Sequence, residues 1–432
     1  MASMAPDSLF WWLRSRLKAA LPPSARRAIQ HFRASLGSPP IEAVALHDYA
    51  ATTDPSLRPR LNLIIPTVNP DQAFGGVTTA LDLFIRLGAA ADTDLRILLD
   101  DFDARPNRSV VDRIAARQNM RPDQIEIVAR TSEIPHVPVR ALDLFISYNW
   151  WITLNLQSLL EKQRSMLGRA LPYLYIYQEY EPGFYPFSTT HQLAWQATCG
   201  SGEWWAIYNS QQLVDFLSAL GVQPTQSYVI EPTLSPSMRP LRDPSAAKVR
   251  SILIYGRQSI PRNCYTAIEA GLRLWAEKFP DAASWRLVSA GASHAPVPLA
   301  NGAVLKSVGK LSLEDYAAML NSSAVGLSLM SSPHPSYPPL EMAHFGMLTI
   351  TNGFAFKNLA TAHDNIHSLD DIRPASIAAA LASACTAFID DPQVGARGTS
   401  HMPGYLDGSA FPFLDDLATD VRQILHIGPL GE

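Results

Sequence analysis

A single carboxylate follows a cluster of prolines in the stretch SSPHPSYPPLEMAHFG, residues 331–346. A residue that precedes proline is disfavoured in helical geometry, so SPHPSYPP predicts an extended loop. Pro338 or Pro339 can begin a helix, because the first turn does not use the missing N–H group. The remaining N–H groups of that turn can bind an anion. Glu341, predicted in the same turn, either stabilises the helix end or accepts hydrogen bonds from the vicinal hydroxyls of a ribose.

Basic residues follow two predicted strands in the second half of the chain. Arg257 comes directly after ILIYG, Arg262 lies five residues further on, and Lys310 follows VLKSVG just before a predicted helix. A guanidinium group can hold a phosphate with two parallel hydrogen bonds. A lone basic side chain is usually a solvated surface charge. Two of them at the ends of neighbouring strands favour an anion site.

Carboxylates and aromatic residues follow strands in the first half of the chain. The segment YLYIYQEYEPGFYPFS places Glu179 and Glu181 among aromatic side chains after a strand. Such carboxylates suit sugar binding or acid–base chemistry, or they form a solvated acidic loop. The segment SYNWW, with Asn149 and Trp150, also allows two interpretations. A tryptophan after a strand either stacks on a sugar or fills the core.

Two glycines, Gly75 and Gly76, separate the first predicted strand from a helix. They let a phosphate or sugar approach the helix N-terminus, or they simply form a tight turn. No Gly-Lys-Ser/Thr sequence follows, so this is not a P-loop. The aspartates of LLDDFD are interpreted as a solvated strand end, and no metal site is predicted.

Composition narrows the classes of protein. The chain has 432 residues, 47% of them hydrophobic, a net charge of −4 and three well-separated cysteines. These values indicate a globular protein of more than one domain, with neither a nucleic-acid surface nor a disulfide framework. Residues 1–36 hold six basic side chains against one acidic, beside a cluster of aromatic and leucine residues. This pattern suits peripheral membrane contact, a helix docked on the protein or a mobile tail.

Short apolar runs alternate with helical patterns twice along the chain, on either side of the Pro- and Ser-rich stretch LSPSMRPLRDPSAAKVR. The predicted class is therefore α/β, with two doubly wound domains facing each other across a cleft. We expect an N-terminal helical extension at 1–50 and Rossmann-like domains at 51–240 and 248–410. A C-terminal helix within 411–432 is expected to pack back on the first domain. The strand ends, and hence the site, should meet in the cleft.

Three segments of the second half resemble the GT-B glycosyltransferases of family 4 in their order and spacing. They are YGR, GKLSLEDYAAML and PPLEMAHFG. Two longer stretches are similar to the WsaF-type rhamnosyltransferases of bacterial surface-glycan assembly. One runs from GKLSLEDYAAML to PHPSYPPLEMAHFG, and the other is YQEYEPGFYP. The resemblance spans about residues 61–425. The earlier glutamate of the family pattern is replaced here by Pro333, so the usual contact to the donor sugar is missing.

The resemblance implies a role for each matching position. Arg257 and Lys310 would bind the donor diphosphate and stabilise its charge, and Glu179 would take part in catalysis. The predicted donor-binding residues are Gly75, Gly76, Arg257, Arg262, Lys310, His334, Tyr337, Pro339, Leu340 and Glu341. The predicted acceptor-binding residues are Asn149, Trp150 and Glu181. His334 is the nearest replacement for the missing sugar contact, or it bonds only to backbone.

The implied activity is retaining transfer of L-rhamnose from dTDP-L-rhamnose to a growing surface glycan, such as the O-antigen of lipopolysaccharide, without a metal or cofactor. The implied partners are the nucleotide sugar and a glycan or lipid-linked glycan. The implied location is cytoplasmic, with peripheral contact to the inner face of the plasma membrane. The alternatives are a family 4 enzyme for a UDP- or GDP-linked sugar, and a sugar-binding or scaffold protein without turnover.

Overall fold

The computed structural model describes residues 46–71, 75–102 and 105–425, and the chain from Asp48 onward forms one compact unit. The segment 1–36, and the membrane contact predicted for it, lie outside the described residues. Among the described residues, no helix combines the length and the apolar character needed to cross a membrane.

The α/β class predicted from the sequence is confirmed, because two seven-stranded sheets follow each other along the chain. All pairings of the first sheet are parallel. From edge to edge its strands are β4 (Ile125–Arg130), β3 (Asp94–Phe102), β2 (Arg60–Ile65), β6 (Asp143–Ser147), β7 (Tyr173–Tyr177), β8 (Trp204–Tyr208) and β9 (Gln226–Val229). Strands β1 (Ala50–Thr53) and β5 (His136–Val139) pair separately.

The second sheet is also parallel, apart from one short antiparallel edge strand. From edge to edge its strands are β12 (Val297–Pro298), β13 (Val304–Gly309), β11 (Arg286–Gly291), β10 (Val249–Gly256), β14 (Ser323–Leu327), β15 (Leu348–Asn352) and β16 (Ile366–Leu369). Its neighbouring helices are α6 (Tyr265–Lys278), α7 (Leu313–Ser322), α8 (Tyr337–His344) and α9 (Pro374–Asp390).

Helices cover both faces of the first sheet, which explains why its strands are continuously apolar. Every residue of β2, RLNLII, is buried, as expected for a strand with a core on each side. The helices associated with this sheet are α1 (Gly75–Ala91), α2 (Ser109–Arg117), α3 (Trp150–Leu167), α4 (Thr189–Thr198) and α5 (Gln211–Ala219).

The last helix, α10 (Leu414–Ile424), returns to the first sheet. Leu417 and Val421 are buried in the same apolar cluster as residues of α1. The Arg422 guanidinium donates to the carbonyl of Ala90 at the end of α1, at 2.6 Å. This last described helix therefore packs against α1 of the first sheet.

Among the parallel strands, the strand order reverses direction once in each sheet, between β2 and β6 in the first and between β10 and β14 in the second. In open parallel sheets, ligands bind beyond the carboxyl ends of the strands at such a reversal. The two strand-order reversals therefore indicate where the candidate site lies.

Candidate active site

A cavity of about 520 Å³ lies where the two strand-order reversals face each other. Pro66 follows β2 and Tyr148 follows β6, while Arg257 follows β10 and Met330 comes shortly after β14. All four line the cavity. The cleft predicted from the sequence is thus present, with the carboxyl ends of both sheets contributing to it.

Half of the predicted site residues line this cavity, and half do not. Those that line it are Asn149, Glu179, Glu181, Arg257, Arg262, His334 and Tyr337. The others, which are not among its lining residues, are Gly75, Gly76, Trp150, Lys310, Pro339, Leu340 and Glu341.

Two guanidinium groups form the positively charged wall of the cavity. The Nε atoms of Arg257 and Arg262 are both buried and have no hydrogen-bond partner within the described ranges. The backbone of Arg257 is held by the side chain of Asn263, with N–H to Oδ1 at 3.1 Å. Burial lowers the pKa of Arg262, while Glu179 opposes this shift. Buried N–H groups without partners are unfavourable, so this wall is suited to bind an anion.

Arg262 also contacts the opposite wall. Its guanidinium carbon lies 4.4 Å from the ring centroid of Phe184, which follows β7 in the other half of the molecule. Stacking on an aromatic face fixes the plane of a guanidinium while leaving its N–H edge available. The two walls are therefore in contact at this point.

Lys310 lies elsewhere. It follows β13, is exposed and is not a cavity-lining residue. Ser312, two residues after it, caps α7 by accepting a hydrogen bond from the backbone N–H of Asp315 at 3.0 Å. Lys310 and Arg257 follow β13 and β10, which are separated by β11, so they do not end neighbouring strands as the sequence predicted.

Helix α8 begins at Tyr337, one residue earlier than the prolines suggested. Pro338 and Pro339 occupy the second and third positions, where their missing N–H groups cost nothing. Glu341 is then the fifth residue, so its predicted place in the first turn is wrong. The helix dipole acts mainly on the terminal turn, and dipole stabilisation therefore does not account for Glu341.

Glu341 accepts a hydrogen bond from the Tyr316 hydroxyl, with Oε2 at 2.9 Å. Burial raises its pKa to about 7. Pro339 and Leu340 are buried, and their side chains contribute packing. Pro339 has no backbone N–H, so Leu340 is the one of the two that can offer a backbone donor to a ligand.

Glu179 bonds across the cleft, so it is not a solvated loop residue. Its Oε1 accepts a short hydrogen bond from the hydroxyl of Ser332, in the loop before α8. The same oxygen accepts from the backbone N–H of Tyr180 at 2.9 Å. The carboxylate is therefore held at the meeting point of the two walls, with its second oxygen available to a substrate.

Glu181 is a buried carboxyl on the wall formed by the first sheet, with 9% of its surface exposed. The Tyr175 hydroxyl donates to its Oε2 at 2.9 Å. Burial raises its pKa to about 8, so this group is largely protonated at neutral pH. Beside it, the side chain of Asn149 caps α3 by accepting from Ile152 N–H at 3.1 Å.

The stacking role predicted for Trp150 does not fit the structure. Its ring is 0% exposed, and its indole N–H donates to the Tyr185 hydroxyl at 3.1 Å. Its neighbour Trp151 lines the cavity instead. The sequence offered no signal to choose between two adjacent tryptophans, because the first turn of a helix can direct either one inward.

The interpretation of LLDDFD as a solvated strand end is wrong for its first aspartate. Asp100 is buried, its Oδ2 accepts from the Trp151 indole N–H at 3.0 Å, and burial raises its pKa to about 7. Asp101 is exposed, and Asp103 lies outside the described residues. Across the described ranges, no three His, Cys, Asp or Glu side chains converge as metal ligands would.

Gly75 and Gly76 differ in their surroundings. A Cβ atom at Gly76 would approach the Tyr148 hydroxyl to 2.6 Å and the Gln178 amide oxygen to 2.9 Å, whereas one at Gly75 would meet no described residue within 4 Å. Only Gly76 is therefore required for close approach, between α1 and two cavity-lining side chains.

The sequence reasoning missed two residues that connect the walls, Ser332 and Asn209. Asn209 directly follows β8, and a polar residue at a strand end is a signal that could have identified it. Its amide lies 3.0 Å from Nε2 of His334. Ser332 carried no such signal, because its partner Glu179 is 153 positions away in the chain.

A pH-dependent stability difference is expected for Glu181→Gln. Between its ordinary pKa of 4.5 and its raised value of about 8, this carboxyl is ionised in the unfolded chain and protonated in the folded protein. Wild-type stability therefore falls as pH rises through that window. The glutamine variant cannot ionise, so urea unfolding should find it more stable than the wild type at pH 8, with little difference at pH 4. A difference that does not change with pH would contradict this, and exposed Glu203→Gln is the control.

Known proteins resemble this chain in sequence and in fold. A model of the WsaF N-terminal domain matches residues 60–211, and one of the WsaF C-terminal domain matches residues 250–382. The O-antigen biosynthesis protein RfbC of Myxococcus xanthus is 27% identical over 290 residues, which are 67% of this chain and 21% of that protein. The chain thus spans about a fifth of the length of this relative.

Solved structures share the fold at low identity. The lipopolysaccharide outer core galactosyltransferase WaaB, in its apo form, has a TM-score of 0.50 and 10% identity, covering 84% of this chain and 98% of its own. An alpha,alpha-trehalose-phosphate synthase (UDP-forming) from Burkholderia vietnamiensis has a TM-score of 0.50 and 12% identity, covering 85% and 99%. With both WsaF domains matched in order over more than half of its length, the chain belongs to the WsaF family and has the GT-B fold.

Proposed function

We propose that this protein transfers L-rhamnose from dTDP-L-rhamnose to a growing bacterial surface glycan, with retention of anomeric configuration. The observation that carries the proposal is the cavity at the two facing strand-order reversals, where the buried Nε atoms of Arg257 and Arg262 have no hydrogen-bond partner among the described residues. The choice of an O-antigen-like glycan is supported by the name of the Myxococcus xanthus relative. The choice of rhamnose rests on the resemblance to WsaF-type enzymes.

The donor would bind against the second sheet. Its diphosphate would lie between the guanidinium groups of Arg257 and Arg262 and the N-terminus of α8, because a helix start offers free N–H groups to an anion. Glu341 would accept hydrogen bonds from the ribose hydroxyls, which requires its carboxyl to be ionised or to exchange its bond with Tyr316. We propose Lys310, which follows β13, as a further basic residue for the phosphates, on the resemblance alone.

The acceptor would bind against the first sheet. Trp151 and Tyr185 line that side of the cavity together with Glu179 and Glu181. Aromatic faces and carboxyl groups are the usual surroundings of a sugar ring, since they contact its apolar face and its hydroxyls. A lipid-linked or polymeric glycan would enter from this side, and we propose that residues 1–36 provide the contact with the membrane.

In the transfer step, the bond between the anomeric carbon and the diphosphate oxygen breaks while the acceptor oxygen bonds to the same face of that carbon. The acceptor proton passes to the departing diphosphate oxygen, so no separate base is consumed. Arg257 and Arg262 stabilise the negative charge that grows on the diphosphate. Glu179 stabilises the positive charge that grows on the sugar ring. The two arginine side chains would supply the positive charge that a metal ion could otherwise provide, and we propose that the reaction needs no metal ion.

A nucleotide panel tests the donor assignment. At a concentration of 100 times Kd, a bound nucleotide stabilises a protein by about 2.7 kcal/mol. We expect dTDP to raise the melting temperature most, ahead of UDP and GDP. Equal shifts with dTDP and UDP would contradict thymidine preference, and no shift with any nucleotide would contradict the proposed function itself.

A further inference from the structure

A continuous chain of hydrogen bonds runs from Glu179 to the start of α8. The Ser332 hydroxyl donates to Glu179 and accepts from the backbone N–H of His334 at 3.0 Å. The Nδ1 atom of His334 then accepts from the backbone N–H of Ser336 at 3.0 Å. On its other side, Nε2 of His334 meets the Asn209 amide at 3.0 Å. His334 therefore connects the wall of the first sheet to the loop that begins α8.

These contacts determine the tautomer of His334. Because Nδ1 accepts a backbone N–H, the proton of the neutral ring is on Nε2. The structure places the nitrogen of the Asn209 amide nearest Nε2. Exchanging it with the similarly shaped amide oxygen gives Nε2–H an acceptor and gives up two 3.4 Å contacts from the nitrogen to oxygens of Gln178. Burial lowers the pKa of His334, with Glu179 opposing this shift and Lys357 and Arg262 adding to it. The ring is thus neutral at physiological pH, as both hydrogen bonds require.

Ser336 has a backbone conformation that residues with a side chain rarely adopt, with φ 69° and ψ 140°. It immediately precedes Tyr337, the first residue of α8, so its dihedral angles set the direction in which the helix begins. The hydrogen bond to His334 is the contact of its backbone N–H. Such a strained conformation persists only where surrounding contacts hold it.

We propose that His334 is a positioning residue: it anchors Ser336 to Asn209 of the opposite wall and so aims the α8 N-terminus at the distal phosphate of the donor. This role replaces the direct sugar contact predicted for His334, and it rests on the proposed function only in naming the phosphate as the target. His334 lines the cavity, but both of its ring nitrogens are already bonded to protein.

Separate variants can remove each half of this link. His334→Gln keeps a polar group near the position of Nε2 but removes the acceptor for Ser336. His334→Asn keeps an acceptor near Nδ1 but loses contact with Asn209. We expect each to raise the Kd for dTDP and the KM for the donor about tenfold, with a smaller change in kcat. Adding Ser336→Gly to His334→Gln should restore most of the affinity, because glycine adopts positive φ without strain. Exposed His367→Gln is the matched control.

Calorimetric titration with dTDP and hydrogen exchange over residues 330–345, with and without nucleotide, decide the outcome. Faster exchange in both His334 variants, with recovery on adding Ser336→Gly, would support positioning. Unchanged exchange in both variants would overturn it. Lost affinity that Ser336→Gly does not restore would also overturn it, and would assign His334 to direct donor contact. If the wild type bound no nucleotide, the proposed function would fail, and hydrogen exchange alone would still decide the positioning role.

Discussion

Arg257→Ala should lower kcat/KM for sugar transfer by about 10²- to 10³-fold, the loss typical when one preorganised donor to a developing charge is removed. Arg257 stands at the end of β10 with its Nε buried and without a partner in the described part of the chain. The diphosphate gains negative charge as the sugar departs, so the guanidinium contributes most in the transition state. The affinity for dTDP should fall as well, because the same group contacts the ground-state diphosphate.

The matched control is Arg250→Ala, which removes an exposed arginine near the opposite end of the same strand. It should leave kcat/KM unchanged. Lys310→Ala should cost less than Arg257→Ala, because Lys310 is exposed and not a lining residue of the cavity. An Arg257 variant with more than half of the wild-type kcat/KM would show that the diphosphate binds elsewhere.

Glu179→Gln should lower kcat by about 10²- to 10⁴-fold, the range for removing a positioned ionisable group from the transition state. The amide keeps the size of the carboxylate and can still accept from Ser332, so folding and domain contact should be preserved. It lacks the negative charge that stabilises the sugar ring as positive charge develops. Glu179 lies close enough to Arg262 to act on its pKa, so losing this negative charge should not weaken the binding of dTDP.

Steady-state kinetics and calorimetry on the same protein sample separate these two effects. Exposed Glu203→Gln, on the loop before β8, controls for the loss of one surface charge. A Glu179→Gln enzyme with wild-type kcat would remove Glu179 from the reaction. An equal loss of kcat and of dTDP affinity would place it at the donor instead.

Local chemistry explains which parts of the molecule were predictable. Mostly apolar runs such as LNLII predict strands buried on both faces, and their alternation with helical patterns predicts two parallel sheets. The ends of those strands then identify Arg257 and Glu179 as site residues. The prolines before Glu341 predict a loop followed by the start of a helix. The helix begins at Tyr337, one residue before Pro338, because the first turn of a helix tolerates both prolines.

Contacts between distant segments were not predictable in the same way. Which of Trp150 and Trp151 faces the cavity depends on how α3 is rotated against the sheet. The burial of Asp100 depends on the Trp151 indole that covers it. The Ser332–Glu179 bond exists only when both halves of the chain are folded. These side-chain contacts depend on tertiary packing, so local sequence patterns do not predict them.

The most direct test of the central claim is a transfer assay with dTDP-L-rhamnose and a short synthetic rhamnoside, followed by NMR of the product. We predict stoichiometric formation of dTDP and of an extended glycoside whose new linkage keeps the anomeric configuration of the donor, in the presence of EDTA. Transfer from a UDP- or GDP-linked sugar alone would contradict the donor assignment, and an inverted linkage would contradict the mechanism. Binding of nucleotide without turnover of any donor would contradict the claim that this protein is a transferase.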